Sequence, residues 1–187
     1  MSEMSGDGEV RTEELDAERE ARRRIALAQI RQYPDPVLRM RAHEVEEFDG
    51  ELQGLAERMT ALMGEAAGVG LAANQVGVLR RIFIFQPTAE DEPLALVNPE
   101  IVERSDETVP DDEGCLSMQG VLVAVDRNQR VTLEARDTSG EQVRLELEGI
   151  AARVVQHELD HLDGVLIIDR TTPEGRREAL GVLRQTA

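Results

Sequence analysis

Apolar residues recur at Leu52, Leu55, Met59, Leu62, Met63 and Ala66, three and four apart, which predicts an amphipathic helix. Asp49 stands where an N-cap belongs, and Gly68 is placed to end the helix. The period then changes. Ile82-Phe83-Ile84-Phe85 is an unbroken apolar run and predicts a buried strand, and residues 94–97 predict a second, stopped by Asn98-Pro99. Residues 121–125, 131–135 and 143–147 predict three more. The last two flank Asp137-Thr138-Ser139-Gly140, a hairpin turn. Gly149 marks entry into a helix of about 14 residues that Gly164 ends. Thr172-Pro173 supplies the cap and first position of a last helix reaching toward Leu183.

Strands thus cluster in the middle of the chain, with helices early and late. That is an α+β order rather than alternating β-α units. Tyr33-Pro34-Asp35-Pro36 predicts a turn or extended segment ahead of the first core helix. Residues 1–10 are polar and expected to be disordered. Residues 12–29 have the pattern of a charged, weakly anchored helix, and a solvated extension is the expectation there. The chain is expected to divide into a charged, flexible extension over 1–24 and a single domain over 25–187, with no internal repeat or linker.

Composition narrows this picture. With 187 residues, 41% hydrophobic, one core is affordable, and three Phe and one Tyr leave it to be built from Leu, Val, Ile, Ala and Met. The net charge of −17 argues against binding nucleic-acid backbones or anionic membranes through bulk charge. One cysteine permits no intramolecular disulfide, which fits a reducing compartment. The first 24 residues hold no apolar run of a secretory signal and are too acidic for a transit peptide, and no stretch is long enough to span a membrane. A cytoplasmic location is expected.

The strongest chemical signal is His157-Glu158-Leu159-Asp160-His161. Residues four apart share a helix face, so two imidazoles can grip one metal ion while the Glu beside the first reaches a metal-bound water. A solvated surface helix is the competing interpretation, and chance rarely produces this spacing from three histidines. A third protein ligand is required. His43 sits in a polar run without partners, so a solvated or capping role suits it. Cys115, in Glu113-Gly114-Cys115-Leu116-Ser117, offers a thiolate suited to a soft site; alone it would read as a small buried hydrophobe. Gly68-Val69-Gly70-Leu71-Ala72-Ala73-Asn74-Gln75 lets the backbone lie close to a substrate or a helix, and Gln75 could donate to an oxyanion.

Taken together and in this order, Gly68-x-Gly70-Leu71-Ala72-Ala73-x-Gln75, Glu113-Gly114-Cys115-Leu116-Ser117 and Gln156-His157-Glu158-x-Asp160-His161-Leu162 resemble the three signature motifs of peptide deformylases. Tyr33-Pro34-Asp35-Pro36, Asn98-Pro99-Glu100-Ile101, Gly164-Val165-Leu166 and Asp169-Arg170 look similar too, so the resemblance covers roughly residues 29–170. It implies mostly antiparallel sheets packed around a metal-binding helix, with added N- and C-terminal helices. It implies Cys115, His157 and His161 as metal ligands with water as the fourth. Glu158 would be the catalytic acid/base, and Gln75 with the Leu116 N–H the oxyanion donors. The metal would most often be Fe(2+), with Zn(2+), Ni(2+) or Co(2+) accepted. The reaction would be removal of the formyl group from the N-terminal formylmethionine of nascent polypeptides, at the ribosome, by metal-bound hydroxide.

For the methionine, Ile150, Arg153 and Val154 precede His157 at helical spacings and are expected to line the space beside the metal. Val69, Gly70 and Leu71 would close the other side and carry the peptide. A departure from the family pattern falls at Met118-Gln119, where relatives commonly carry an apolar residue and then Pro, and it bears on substrate affinity rather than chemistry; Asp126, where relatives often have Pro, is another variation. Two rival readings are a zinc peptidase, which lacks an evident third ligand downstream of His161, and a non-catalytic metal-binding relative, against which Glu158 and Gln75 both stand.

Overall fold

In the computed structural model, described for residues 6–186 with side chains over 15–185, four α-helices frame seven strands. The helices are α1 (Gly6–Leu27), α2 (Gly50–Glu65), α3 (Gly149–Leu162) and α4 (Pro173–Thr186). The strands are β1 (Gly70–Ala72), β2 (Ile82–Phe85), β3 (Leu94–Arg104), β4 (Thr108–Cys115), β5 (Met118–Asn128), β6 (Arg130–Arg136) and β7 (Gln142–Glu148). One antiparallel sheet runs β1-β2-β3-β6-β7, and β4 and β5 form a separate antiparallel pair. The architecture is therefore α+β with antiparallel sheets packed around α3.

The unbroken apolar run of β2 has a direct explanation. Strand side chains alternate between faces. Ile82 and Ile84 join α2 residues Leu52, Leu55, Met59 and Met63 in one core, whereas Phe83 and Phe85 join Ala152, Val155 and Leu162 of α3 in another. A sheet covered by a helix on each face needs no polar side, so the run is continuous. A third core, around Leu38, Met118, Val121, Val123, Val125 and Ile167, joins β5 to α4.

Asp49 caps α2 as expected, accepting from Leu52 N at 3.0 Å. The exit differs. α2 stops at Glu65, and Ala67 rather than a glycine takes the left-handed turn (φ 56°). Gly68 serves elsewhere: a Cβ there would stand 2.8 Å from Leu116 Cδ1. The strand over 94–97 also does not stop at Asn98-Pro99. β3 continues to Arg104 through a register break between Val97 and Glu100. Asn98, at φ 50°, turns its amide onto both backbone groups of Val45, accepting at 2.8 Å and donating at 2.9 Å, so Pro99 sits at a bulge where no ladder bond is required. Strand β4 had no signal, because seven of its eight residues are exposed or half-buried and carry no alternation.

The hairpin of β6 and β7 and both ends of α3 lie where the sequence places them, with Gly149 and Gly164 left-handed. Residues 1–5 lie outside the described residues. From Gly6 the expected solvated extension is a helix whose residues 15–20 and 22–25 are exposed, and among the described side chains it is buried at Ala26 and Leu27, with Ile30 just beyond. No helix among the described residues is long and apolar enough to cross a membrane.

This docking predicts two contrasting outcomes in urea denaturation. Leu27→Ala in the full chain should destabilise by about 2–3 kcal/mol, the cost of truncating a buried leucine. A chain beginning at Ile25 keeps Ala26, Leu27 and Ile30 and should lose less than about 1 kcal/mol.

Candidate metal centre

Helix α3 places His157 and His161 one turn apart with their rings edge to face, and the β4–β5 turn places Cys115 against them. His157 Nε2 and His161 Nε2 lie 3.1 Å apart, and Cys115 Sγ lies 3.3 Å from His161 Nε2. All three ligand atoms fall within 4.8 Å of one another, the one such group among the described residues. A tetrahedral ion with nitrogen at about 2.1 Å and sulfur at about 2.3 Å sets donor spacings of roughly 3.4–3.6 Å, so these two spacings are a few tenths of an ångström tighter and small side-chain shifts admit one ion. Three protein ligands would leave a fourth position free, and Cys115 and His157 line a cleft of about 630 Å³. His43 is exposed and paired through its backbone with Leu79 and Arg81, away from this group.

The imidazoles are aimed by what stands behind them. His157 Nδ1 donates to Glu113 Oε2 at 3.0 Å, which leaves Nε2 toward the site. Glu113 is itself buried and also accepts from Arg127 Nε (2.9 Å) and NH2 (3.0 Å) and from Arg153 NH1 (2.8 Å). Burial pushes its carboxyl up, but the hydrogen bonds from His157 and Arg127 and their charge outweigh this and hold it down at about 2. Arg127 passes the network on to Asp160, one residue before His161. Burial holds the His161 imidazole well below its ordinary value, in the neutral form that offers a lone pair. The side-chain amide of Asn74 donates to the His161 carbonyl.

Glu158 is 4% exposed, and its Oε2 has no hydrogen-bond partner. Burial lifts its carboxyl to about 7, with Glu113 adding to the lift and His157 opposing it. It lies against β1: a Cβ at Gly70 would overlap the Glu158 carboxyl, so only glycine fits. Gln75 is anchored through Oε1 by Ala72 N at 2.9 Å, and its Nε2 faces Ser117 Oγ (3.0 Å) and Cys115 Sγ (3.7 Å).

The expected pocket residues divide. Val69, Gly70, Val154 and Leu116 line the cleft with Cys115, His157 and Glu158, and so does Arg153, which holds Glu113 and the carbonyls of Val125 and Val109. Leu71 does not: strand alternation turns it into the α2 core, fully buried. Ile150 does not either. It shares the His157 face, but seven residues is about 10 Å along the axis, and it lies 74% exposed beyond the cleft. Sequence reasoning also passed over Glu113, Arg127 and Asp160 as a unit. Glu113 was legible in part, two positions before Cys115; a buried arginine on β5 was not.

A helix-borne His pair joined by a cysteine sulfur, beside a buried carboxyl and facing a cleft, is a donor set that could hold one metal ion of the hydrolytic type. Residues 27–177 match the polypeptide deformylase family. The peptide deformylase of Thermotoga maritima is 49% identical over 150 residues, covering 80% of this chain and 90% of that protein. Peptide deformylase 1 of Corynebacterium glutamicum is 42% identical over 165 residues, covering 87% and 98%. The crystal structure of a Legionella pneumophila peptide deformylase superposes with a TM-score of 0.80 at 39% identity, covering 84% of this chain and 93% of that one. The chain belongs to the polypeptide deformylase family, whose members are metal-dependent hydrolases.

Two outcomes test the centre. Replacing Cys115, His157 or His161 by Ala should strip bound metal, measured by elemental analysis, while His43→Ala leaves it in place. Glu113→Ala takes the shared carboxylate from the buried Arg127 and the half-buried Arg153. It should cost about 3–5 kcal/mol in denaturant unfolding and weaken metal affinity about 10–100-fold by titration.

Proposed function

We propose that the protein removes the formyl group from the N-terminal formylmethionine of nascent polypeptides, in the cytoplasm, as they emerge from the ribosome. One observation carries this reading: a buried carboxyl, Glu158, whose Oε2 has no hydrogen-bond partner, stands in an open cleft beside a Cys-His-His donor set. A divalent ion held by Cys115, His157 and His161, Fe(2+) foremost with Zn(2+), Ni(2+) or Co(2+) as alternatives, supplies a Lewis acid and a water acidified to near pH 7.

The remaining work belongs to side chains. Glu158 takes the proton of the attacking water and later delivers it to the leaving amine; burial, which raises its affinity for a proton, suits it to both transfers. Water oxygen bonds to the formyl carbon, the C–N bond breaks, formate departs and the peptide keeps a free amine. Charge that develops on the formyl oxygen is met by Gln75 Nε2 and the Leu116 N–H, the former held in place by Ala72. Val69, Gly70 and Val154 give the methionine an apolar wall, with Leu71 supporting it from the core and Ile150 outside it. Met118 is buried in the third core while Gln119 is exposed at the cleft, so the departure from Pro changes the rim and not the ligand set. The net charge of −17 supports a peptide substrate over bulk nucleic-acid binding.

The test is an assay of anaerobically purified, metal-analysed protein on formyl-X-Ala-Ser peptides and their unformylated forms. Formate release with formyl-Met well above formyl-Ala or formyl-Asp is the expected result. Cleavage of unformylated peptides would make it a peptidase, and no reaction a non-catalytic relative. Glu158→Ala should retain metal and lose about 10²–10⁴-fold in rate.

A further inference from the structure

Helix α1 lies almost wholly ahead of the residues that match the family, which begin at 27, yet its C-terminal part forms part of the cleft wall. Two of its residues, Arg23 and Leu27, line the cleft that also holds Cys115, His157 and Glu158. They are four apart and so share one helix face. Leu27 is buried in the α2 core, against which Leu116 packs, and this fixes the face that Arg23 presents. The chain just beyond α1 is bound to the metal-ligand loop as well: Gln32 Nε2 donates to the Leu116 carbonyl at 3.0 Å, and Gln119 Nε2 donates to Gln32 Oε1 at 3.2 Å.

The cleft lining carries two guanidinium groups, and they are not equivalent. Arg153 is committed to Glu113 and to the carbonyls of Val125 and Val109. Arg23 is exposed and has no hydrogen bond or ion pair among the described residues. The acidic lining residues are Asp112, Glu113 and Glu158, set in a chain of net charge −17. An acidic substrate therefore enters against the field of the whole molecule, and Arg23 is the local cation that can offset it.

We propose that Arg23 is a specificity-determining residue: it pairs with a side-chain carboxylate of the formylated peptide, downstream of the formylmethionine, and favours acidic nascent chains over their neutral isosteres. This rests on the deformylase reading of the site. The contact is solvent-exposed, so its effect is a few-fold and salt-sensitive rather than absolute.

The experiment uses the full chain and C-terminally amidated formyl-Met peptides, with Glu or Gln placed in turn at the second, third and fourth positions. Amidation leaves the side chain as the one carboxylate, which separates it from a free C-terminus. At one position or more, kcat/KM for Glu over Gln should be about threefold in low salt and approach one in 0.5 M NaCl. Arg23→Ala should bring the ratio to about one and Arg23→Glu below it. Arg22→Ala, on the same helix but paired with Glu18 and outside the cleft lining, should leave the ratio as it is. The Kd values of the corresponding unformylated peptides should follow the same order without turnover. A wild-type ratio of one at all three positions, or a ratio that survives Arg23→Ala, overturns the proposal. Turnover with a flat ratio overturns it alone; no turnover with any peptide overturns the deformylase reading with it.

Discussion

The buried carboxylate of Glu113 holds three parts of the molecule in one geometry. It sits on β4, a strand that is otherwise solvated, and it receives hydrogen bonds from Arg127 on β5 and from Arg153 and His157 on α3. Burying an ion costs several kcal/mol, and that cost is offset only if every lone pair finds a donor. Here Arg127 and Arg153 bring two charges and His157 a third donor. The charges alternate onward from Arg127 to Asp160 and from Asp160 to Arg170. The β4–β5 pair belongs to no larger sheet, so this chain of charges, with Gln156 clasping both backbone groups of Asn128, fastens it to the metal-binding helix.

That fastening sets the chemistry. Cys115 comes from the two-stranded pair and the histidines come from α3, so the donor spacing depends on how the two elements dock. Glu158 depends on a different contact, the close pass of β1 at Gly70, which buries its carboxyl and raises its affinity for a proton. Two neighbouring acids are thereby driven apart. Glu113, surrounded by donors, is held near 2, and Glu158, buried without a partner, is lifted to about 7. One is suited to orientation and the other to proton transfer, because their surroundings differ and not their side chains.

The apolar rows explain what holds β1 beside Glu158. β2 is sandwiched between α2 and α3, so the strand beside β1 is fixed on both faces. Gly70 is held against Glu158 by that sandwich, with Leu71 locked into the α2 core on the opposite side of the strand. A side chain expected to line the cleft is thus part of what supports it.

Local rules were legible in the sequence wherever one element decided the outcome. The helical spacing of α2, the double-faced run of β2, the hairpin around Gly140 and the two left-handed glycines bounding α3 follow from side-chain period and backbone sterics. The His157–Glu158–His161 arrangement is set by 3.6 residues per turn. Tertiary structure decided what depends on two elements at once. Ala67 took the left-handed helix exit while Gly68 passes close to Leu116, and β4 formed without an apolar pattern because β5 and the Glu113 network hold it. Ile150 left the cleft because sharing a helix face says nothing of position along the axis. Arg23 reached the cleft because Leu27, four residues on, anchors its face. Period along a chain fixes direction within an element, whereas proximity between elements is set by the packing of all of them.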